Sequence, residues 1–268
     1  MLVAIDIGNS KTKVGFFEDM NQYASKISSY DTNSKSITDI SNSINAYINL
    51  LNKDTNLTAC IISSVVPNLN SAISSEMNKK LNLSPIFVDS NLITGINFNY
   101  EPVSDLGSDR IADCIAVNNL YPKKNFKIVV DFGTATVFEV ISKRGDFLGG
   151  SIFPGLEVAS KALSDNASLL KNIDFENLSA NNKVIGNSTE ESLKSSLFWG
   201  YISLTEGIIN KIINELKIQR KEVFVVGTGG FANLINNHTR IFDKIEPNLT
   251  LEGLRLIYKL YVEKNNEF

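Results

Sequence analysis

One layout occurs twice in this sequence, 125 positions apart, and this repeat limits the possible folds more than any other feature. In each copy an apolar run ends in an aspartate, a glycine turn follows, and a second apolar run returns at 14–17 or at 138–141. The aligned pairs are Asp6 with Asp131, Gly8 with Gly133, and Asn9 with Thr134. Each copy is typical of a strand, a tight turn and a strand. Because the period is far longer than a solenoid repeat, it indicates a duplicated domain.

Strand and helix patterns alternate after each copy, which is typical of an α/β protein. The first copy is followed by predicted elements at 37–51, 59–66, 69–81, 85–88 and 109–120. The second is followed by predicted elements at 156–170, 189–216, 222–226 and 251–262, with Ser188 and Glu191 forming a capping box. The stretch 122–125 is the best boundary. We therefore predict two similar lobes, 1–121 and 122–268, with a ligand in the cleft between them.

Composition excludes several classes of protein. The 26 Lys and Arg residues against 29 Asp and Glu form no long basic block, which argues against a nucleic-acid-binding surface. Neither a secretory signal nor a run of eighteen apolar residues is present, so we expect a cytoplasmic protein that does not bind a membrane. With only two cysteines and one histidine, the sequence predicts no zinc site and no disulfide framework. The histidine, His238, lies in a polar stretch that we expect to be an exposed loop.

The two glycine turns are candidate phosphate-binding sites. A glycine lets the backbone approach an anion, and the N–H and hydroxyl groups beside it can donate to phosphate oxygens. Lys11 and Lys13 could add positive charge, and Asp131 at a strand end could hold a cation. The glycine-rich stretch 225–230 could provide a flat backbone surface for a nucleoside. The alternative is two ordinary hairpins with lysines on a solvated face, but the pairing of the turns favours polyphosphate binding.

Residues 107–110, with the sequence GSDR, form a second candidate site at the predicted start of a helix. Free N–H groups at a helix N-terminus favour an anion there. Asp109 is a candidate general base for a substrate hydroxyl, and Arg110 could bind a substrate carboxylate in a bidentate geometry. The alternative is a plain helix start, with Ser108 as the cap and Arg110 paired with Asp105 or Asp113.

Six motifs in this order and spacing resemble those of type III pantothenate kinases: DIGNSKTK at 6–13, GSDR at 107–110, DFGTAT at 131–136, GGSIFPG at 149–155, GNSTEES at 186–192 and VVGTGG at 225–230. The resemblance covers the chain from end to end. That family belongs to the superfamily of actin, sugar kinases and heat-shock chaperone ATPases. It implies two ribonuclease H-like lobes from an internal duplication, with ATP and substrate in the cleft between them.

The resemblance also implies an activity: ATP-dependent phosphorylation of pantothenate to 4'-phosphopantothenate, the first step of coenzyme A biosynthesis. It implies Mg²⁺ with ATP, a monovalent cation (K⁺ or NH₄⁺) at Asp131, Asp109 as general base, and a homodimer. The implied ATP-binding residues are Asp6, Ile7, Gly8, Asn9, Ser10, Lys11, Thr12, Lys13 and Thr134. The implied pantothenate pocket comprises Tyr100, Gly107, Ser108, Asp109, Arg110 and, from a dimer partner, Thr189.

The sequence departs from the family pattern at three serines: Ser10 replaces the usual threonine, Ser108 a small residue such as alanine, and Ser196 a frequent glycine. None of these changes removes a reactive group. Two alternatives stay open, namely a kinase for another small hydroxy acid or sugar, and a non-catalytic paralogue that acts as a regulator. Phosphoryl transfer itself requires mainly positioning and charge compensation, so a kinase with a single histidine is chemically reasonable.

Overall fold

The structure is a computed structural model that describes residues 1–50, 57–92, 95–123, 125–167, 169–170, 173 and 183–265. The chain divides into two compact units. Unit 1 comprises Met1–Lys123, Gly145–Phe147 and Asn248–Phe268, and unit 2 comprises Lys124–Arg144 and Leu148–Pro247. Within the described residues, no helix is both long enough and apolar enough to cross a membrane.

Unit 1 contains a five-stranded mixed sheet and three helices that follow its strands. The strands are β1 (Leu2–Ile7), β2 (Lys11–Phe17), β3 (Lys26–Asp31), β4 (Ala59–Ser64) and β5 (Ile86–Phe87). The helices are α1 (Ser34–Leu50), α2 (Pro67–Leu81) and α3 (Ser108–Leu120). The sheet order is β3-β2-β1-β4-β5, in which β1 to β3 form antiparallel pairs while β4 lies parallel to β1 and to β5.

Unit 2 and the C-terminal residues repeat this series of elements. The strands are β6 (Phe126–Phe132), β7 (Ala135–Ile141), β8 (Phe147–Pro154), β9 (Val223–Gly229) and β10 (Lys244–Ile245). The helices are α4 (Leu156–Asn166), α5 (Thr189–Glu215), α6 (Ala232–Asn236) and α7 (Leu249–Asn265). The sheet order is β10-β9-β6-β7-β8, with β6 antiparallel to β7 and parallel to β9.

The two sheets therefore have the same strand order, and the equivalent central pairs run in the same relative directions, which confirms the duplication. In both, three strands precede a helix, and two further strands then alternate with helices, as in a ribonuclease H-like fold. The central strands are apolar because both faces of a central strand are covered. Residues 2–5 and 128–130 are fully buried. These runs are the ones from which the sequence predicted the paired strands.

The last helix, α7, belongs to unit 1, whereas the lobe predicted from the sequence at 122–268 includes it in the second half. Its apolar face, with Leu251 and Leu254, is buried against α3 and the strands of unit 1. Gly253 allows the close approach, because a Cβ atom there would lie 2.0 Å from the carbonyl oxygen of Ala112 in α3. Helix periodicity reveals an apolar face but does not identify the surface that covers it.

Three local features differ from the sequence prediction. The edge strand β3 was not predicted, because most of its residues are polar and exposed and so show no apolar run. Helix α4 ends at Asn166 rather than Leu170, and the predicted end of α1 at Leu51 lies outside the described residues. At α5, Ser188 Oγ accepts the Glu191 N–H at 3.2 Å as expected. The Glu191 carboxylate, however, accepts from the preceding Asn187 N–H at 2.7 Å, so the reciprocal bond is shifted by one residue.

We expect Gly253→Ala to destabilise the protein by about 1–3 kcal/mol, because the added methyl group must push α7 away from the α3 backbone. Gly207→Ala in α5 is the matched control: nothing lies within 4 Å of its Cβ position, and alanine favours a helix by up to about 1 kcal/mol. Thermal unfolding of both variants checks this, and an equal or higher melting temperature for Gly253→Ala would contradict the packing.

Candidate functional site

The first glycine turn joins β1 to β2. The Gly8 N–H donates to the Lys11 carbonyl oxygen at 3.1 Å, and a Cβ atom at Gly8 would lie only 3.0 Å from that oxygen. Asn9 and Ser10 form the exposed tip. The turn is therefore tight, and it presents main-chain N–H groups and two short polar side chains to solvent, a surface that suits phosphate oxygens.

The other side chains of the run 6–13 differ in how accessible they are. Lys11 is exposed and pairs with Asp31 on β3 at 2.5 Å, while Asp6 and Lys13 are half-buried and Ile7 is buried. The buried Thr12 hydroxyl bonds to the Thr32 hydroxyl at 2.9 Å. Thr12 thus connects β2 to the end of β3, and its side chain is not presented to solvent with those of the tip.

The second glycine turn joins β6 to β7 in unit 2 and repeats this geometry. The Gly133 N–H donates to the Ala135 carbonyl oxygen at 3.0 Å, and Thr134 is exposed. Gly155 lies against the turn, and its N–H donates to the Thr134 carbonyl oxygen at 2.9 Å. A Cβ atom at Gly155 would lie 2.2 Å from the Gly133 oxygen, so only glycine lets the start of α4 come this close.

Asp131, near the end of β6, has its carboxylate beside the glycine-rich end of β9. The register pairs it with Thr228 and pairs the next residue, Phe132, with Gly229. A Cβ atom at Gly229 would lie 2.3 Å from Asp131 Oδ1 and 2.6 Å from the Phe132 backbone, and the φ of Gly229 is +86°. The glycine therefore leaves the space that the carboxylate occupies. A half-buried carboxylate in such a cradle is an oxygen ligand that fits a hard cation.

In unit 1, the start of α3 is bonded to the end of β4. The Ser108 hydroxyl lies 3.0 Å from the Ser63 hydroxyl and accepts the Ser64 N–H at 2.9 Å. Ser108 is buried and is the first helical residue, while Gly107 is the N-cap and makes no side-chain cap bond. Ser108 is therefore not the N-cap that a plain helix start would use, and its side chain is not exposed to a ligand. Its hydroxyl holds the helix start in place.

This anchor brings two predicted sites to one edge of the unit 1 sheet. Strands β1 and β4 are parallel, so Ile7 lies beside Ser64, and the Val65 N–H donates to the Ile7 carbonyl oxygen at 3.0 Å. The glycine turn begins directly after Ile7, and Ser64 bonds to Ser108 at the start of α3. The first glycine turn and the GSDR motif therefore both lie at the carboxyl end of the central parallel strands, where α/β sheets bind ligands.

The Asp109 carboxyl group folds back over its own helix start. Its Oδ1 accepts the Arg110 N–H at 2.8 Å, and a Cβ atom at Gly107 would lie 2.4 Å from the same oxygen. Gly107 therefore leaves the room for this conformation. Burial raises the pKa of Asp109, although the hydrogen bond and charge of Arg110 partly offset that effect. A carboxylate with a raised pKa is a stronger base than an exposed aspartate.

Arg110 is buried, with 9% of its surface exposed, and lies beside Tyr100. Its Cζ lies 5.2 Å from the centre of the Tyr100 ring, and its Nη1 donates a long hydrogen bond, 3.5 Å, to the tyrosine oxygen. The structure thus brings the predicted pocket residues of unit 1 together. Thr189, the first residue of α5 in unit 2, is exposed.

His238 is not the exposed loop residue that the sequence predicted. It is half-buried, with its ring 4.7 Å from Phe198 and 6.3 Å from Trp199. The polar residues around His238 gave no sign of this burial, because its two aromatic partners come from α5, some forty residues earlier in the chain. The sequence also did not show that Gly107 and Gly229 leave space for the carboxylates of Asp109 and Asp131. The atoms that a Cβ at either glycine would meet are known only from the folded chain.

Solved structures share this fold at low sequence identity. A Campylobacter jejuni protein assigned to the Baf family of transcriptional activators is 20% identical, with 97% of this chain and 99% of that chain covered and a TM-score of 0.60. The Clostridium difficile activator of 2-hydroxyisocaproyl-CoA dehydratase, with bound ADPNP, is 13% identical, with 100% and 97% covered and a TM-score of 0.54. A Listeria monocytogenes protein assigned as an N-acetylmannosamine kinase is 13% identical, with 98% and 99% covered and a TM-score of 0.52.

The two sheets of equal strand order define the class, a duplicated α/β fold that these solved structures share. A family model described as type III pantothenate kinase matches residues 2–211. The chain belongs to the type III pantothenate kinase family and is a kinase that phosphorylates pantothenate in coenzyme A biosynthesis.

The raised pKa of Asp109 predicts a cost in stability that depends on pH. Below the pKa of an unfolded aspartate, about 4, the group is neutral in both states and its ionisation costs nothing. As the pH rises through the raised folded-state pKa, the unfolded state loses its proton more readily, so folding becomes less favourable. We expect Asp109→Asn to raise the melting temperature at neutral pH, with a smaller gain near about pH 4.

The matched control is Asp105→Asn, which makes the same change at an exposed position close by in the chain. It should shift the melting temperature little at either pH. A gain for Asp109→Asn that did not grow between pH 4 and pH 7 would show that burial of the carboxylate carries no such cost.

Proposed function

We propose that Asp109 is the general base of a pantothenate kinase whose two glycine turns bind ATP and whose Asp131 holds a monovalent cation. The observation that carries the proposal is the common sheet edge in unit 1. There, the parallel pairing of β1 with β4 and the Ser108 anchor bring the first glycine turn and the half-buried Asp109 to the same edge of the sheet, which supports the proposal. Phosphoryl transfer needs these two groups at one place.

In the proposed reaction, the terminal hydroxyl oxygen of pantothenate attacks the γ-phosphorus of ATP, and the bond to the bridging oxygen of ADP breaks. Asp109 accepts the hydroxyl proton. Its Oδ1 already receives the Arg110 N–H, so Oδ2 is the oxygen that takes the proton. The raised pKa makes this transfer more favourable than it would be to an exposed aspartate.

The ATP contacts follow from the two turns. In unit 1, the N–H groups and side chains of Asn9 and Ser10 donate to phosphate oxygens, and Lys11 and Lys13 add positive charge. Asp6, Ile7, Gly8 and Thr12 shape the turn, with Thr12 acting through its bond to Thr32. Thr134 contributes from the second turn. The Mg²⁺ that accompanies ATP offsets phosphate charge during the transfer.

The cation site is proposed on Asp131 and the cradle at Gly229. The carboxylate is half-buried and lies in the space that Gly229, at φ +86°, leaves for it. A monovalent ion there, K⁺ or NH₄⁺, would compensate negative charge close to the second turn. The residues present fit such an ion because its preferred ligands are oxygen atoms.

The proposed pantothenate pocket comprises Tyr100 and 107–110, in which the buried Ser108 holds the helix start and Arg110 binds the substrate carboxylate in a bidentate geometry. Thr189 would join it from the partner in a homodimer. Exposed apolar side chains in unit 2 support the dimer: Ile152 is 60% exposed, Val184 66% and Ile185 80%. Light scattering that gave the mass of a single chain would exclude it. We also propose that the reaction takes place in the cytoplasm, where ATP is supplied.

Purified enzyme should release ADP from ATP only when pantothenate is added. Asp109→Asn should lower that turnover by about a hundredfold or more, since a positioned general base is removed, while the fold persists. Asp105→Asn serves as the control. Turnover of Asp109→Asn within a few-fold of wild type at saturating substrate would overturn the assignment of the base.

Turnover should also depend on the monovalent cation. Replacing K⁺ with tetramethylammonium, which is too bulky for a carboxylate site, should remove most of the activity. Asp131→Ala should lower activity and lose most of the difference between the two salts. Equal wild-type rates in both salts at matched ionic strength would exclude the cation site.

A further inference from the structure

We propose that Phe147 is a positioning residue for pantothenate binding that acts through Arg110. Motif comparison does not mark it, because it precedes the GGSIFPG motif, and it reaches unit 1 from a distant part of the sequence. The inference rests on the proposed role of Arg110 as the residue that binds the substrate carboxylate. In this proposal, the Phe147 ring fixes the orientation of the Arg110 guanidinium.

The backbone of Phe147 is fixed in unit 1 by two hydrogen bonds. Its N–H donates to the Asn97 carbonyl oxygen at 2.9 Å, and its carbonyl oxygen accepts the Asn99 N–H at 3.0 Å. Two residues earlier in the chain, the Gly145 carbonyl oxygen accepts from Asn118 Nδ2 at 2.8 Å, which ties the same segment to α3. The Phe147 side chain is fully buried, so its ring has a fixed place beside the segment that ends in Tyr100.

The two rings lie on one flank of the Arg110 guanidinium. Its Cζ is 5.3 Å from the centre of the Phe147 ring and 5.2 Å from that of Tyr100. The two ring centres are only 5.8 Å apart, with an interplanar angle of 57°. If the rings stood on opposite sides of the guanidinium, their centres would be much further apart. The aromatic pair therefore supports one flank and leaves the opposite flank for other partners.

This arrangement has a chemical consequence for the arginine. A cation over an aromatic face is attracted by the ring quadrupole, most strongly where water is excluded. The contacts restrict the rotamers of a long side chain, so less entropy is lost when its fork binds a planar carboxylate. Because the Tyr100 ring packs against Phe147, loss of the phenylalanine would loosen both groups of the proposed pocket.

The test is Phe147→Leu, which keeps an apolar side chain but removes the ring. We expect the KM for pantothenate to rise about three- to tenfold, in the range of a desolvated cation–π contact. The kcat and the KM for ATP should change less than about twofold, because the Phe147 ring packs on Arg110, Tyr100 and Phe98. With pantothenol, which has a hydroxyl in place of the carboxylate, Phe147→Leu should cost little. Phe147→Met is the second variant, since its flexible side chain fills irregular space if leucine prevents folding.

Phe16→Leu is a closely matched control. Phe16 is also fully buried in unit 1 and packs on a tyrosine, Tyr47, with ring centres 4.4 Å apart and Lys26 over the tyrosine ring. Phe16→Leu should lower the melting temperature, as we also expect for Phe147→Leu, but it should not change the KM for pantothenate. A double-mutant cycle with Arg110→Gln separates the mechanism: once the guanidinium is gone, Phe147→Leu should have almost no further effect.

Three results would overturn the proposal. These are equal losses on pantothenate and pantothenol, an equal rise in KM for Phe16→Leu, or additive effects of Phe147→Leu and Arg110→Gln. The failure of the proposed function has a different signature. It would appear in the wild type as no turnover with pantothenate, or as an unchanged KM for pantothenate in Arg110→Gln alone.

Discussion

The parallel pairing of β1 with β4 is the constraint on which the rest of unit 1 depends. It aligns Ile7 with Ser64, so the glycine turn after β1 and the anchor of α3 must lie at the same edge of the sheet. At this edge the register is held by the Val65 N–H, which donates to the Ile7 carbonyl oxygen, and by the bonds between Ser64 and Ser108. The hydroxyl bonds of Ser108 then hold the start of α3, with Asp109, at that same edge.

The duplicated sheet uses the equivalent edge in a different way in each unit. In unit 1 the two residues of β4 paired with Asp6 and Ile7 are serines, and they bond to Ser108. In unit 2 the pairing partners at that edge are Thr228 and Gly229, and the glycine leaves space for the Asp131 carboxylate. The same fold thus provides a helix anchor in one copy and a carboxylate cradle in the other.

Both proposed functional carboxylates depend on a neighbouring glycine for space. A side chain at Gly107 would collide with Asp109, and one at Gly229 with Asp131. The burial that makes Asp109 a stronger base also opposes its ionisation, so the site is maintained at some cost in stability. Surrounding packing must offset that cost, and the close contact of α7 with α3 through Gly253 is part of it.

The sequence by itself determined the repeat, the α/β class, the order of most strands and helices, and the family. Apolar runs, turn residues and motif spacing are local properties, so they can be recognised without a structure. Tertiary structure alone decided that α7 packs in unit 1, that β3 is an edge strand, and that Phe147 lies against Arg110. These depend on which surfaces meet and on distances between residues far apart in the chain, and periodicity does not encode them. The same is true of the buried Thr12 and Ser108 hydroxyls, whose residue types suited a ligand but whose partners are other parts of the sheet.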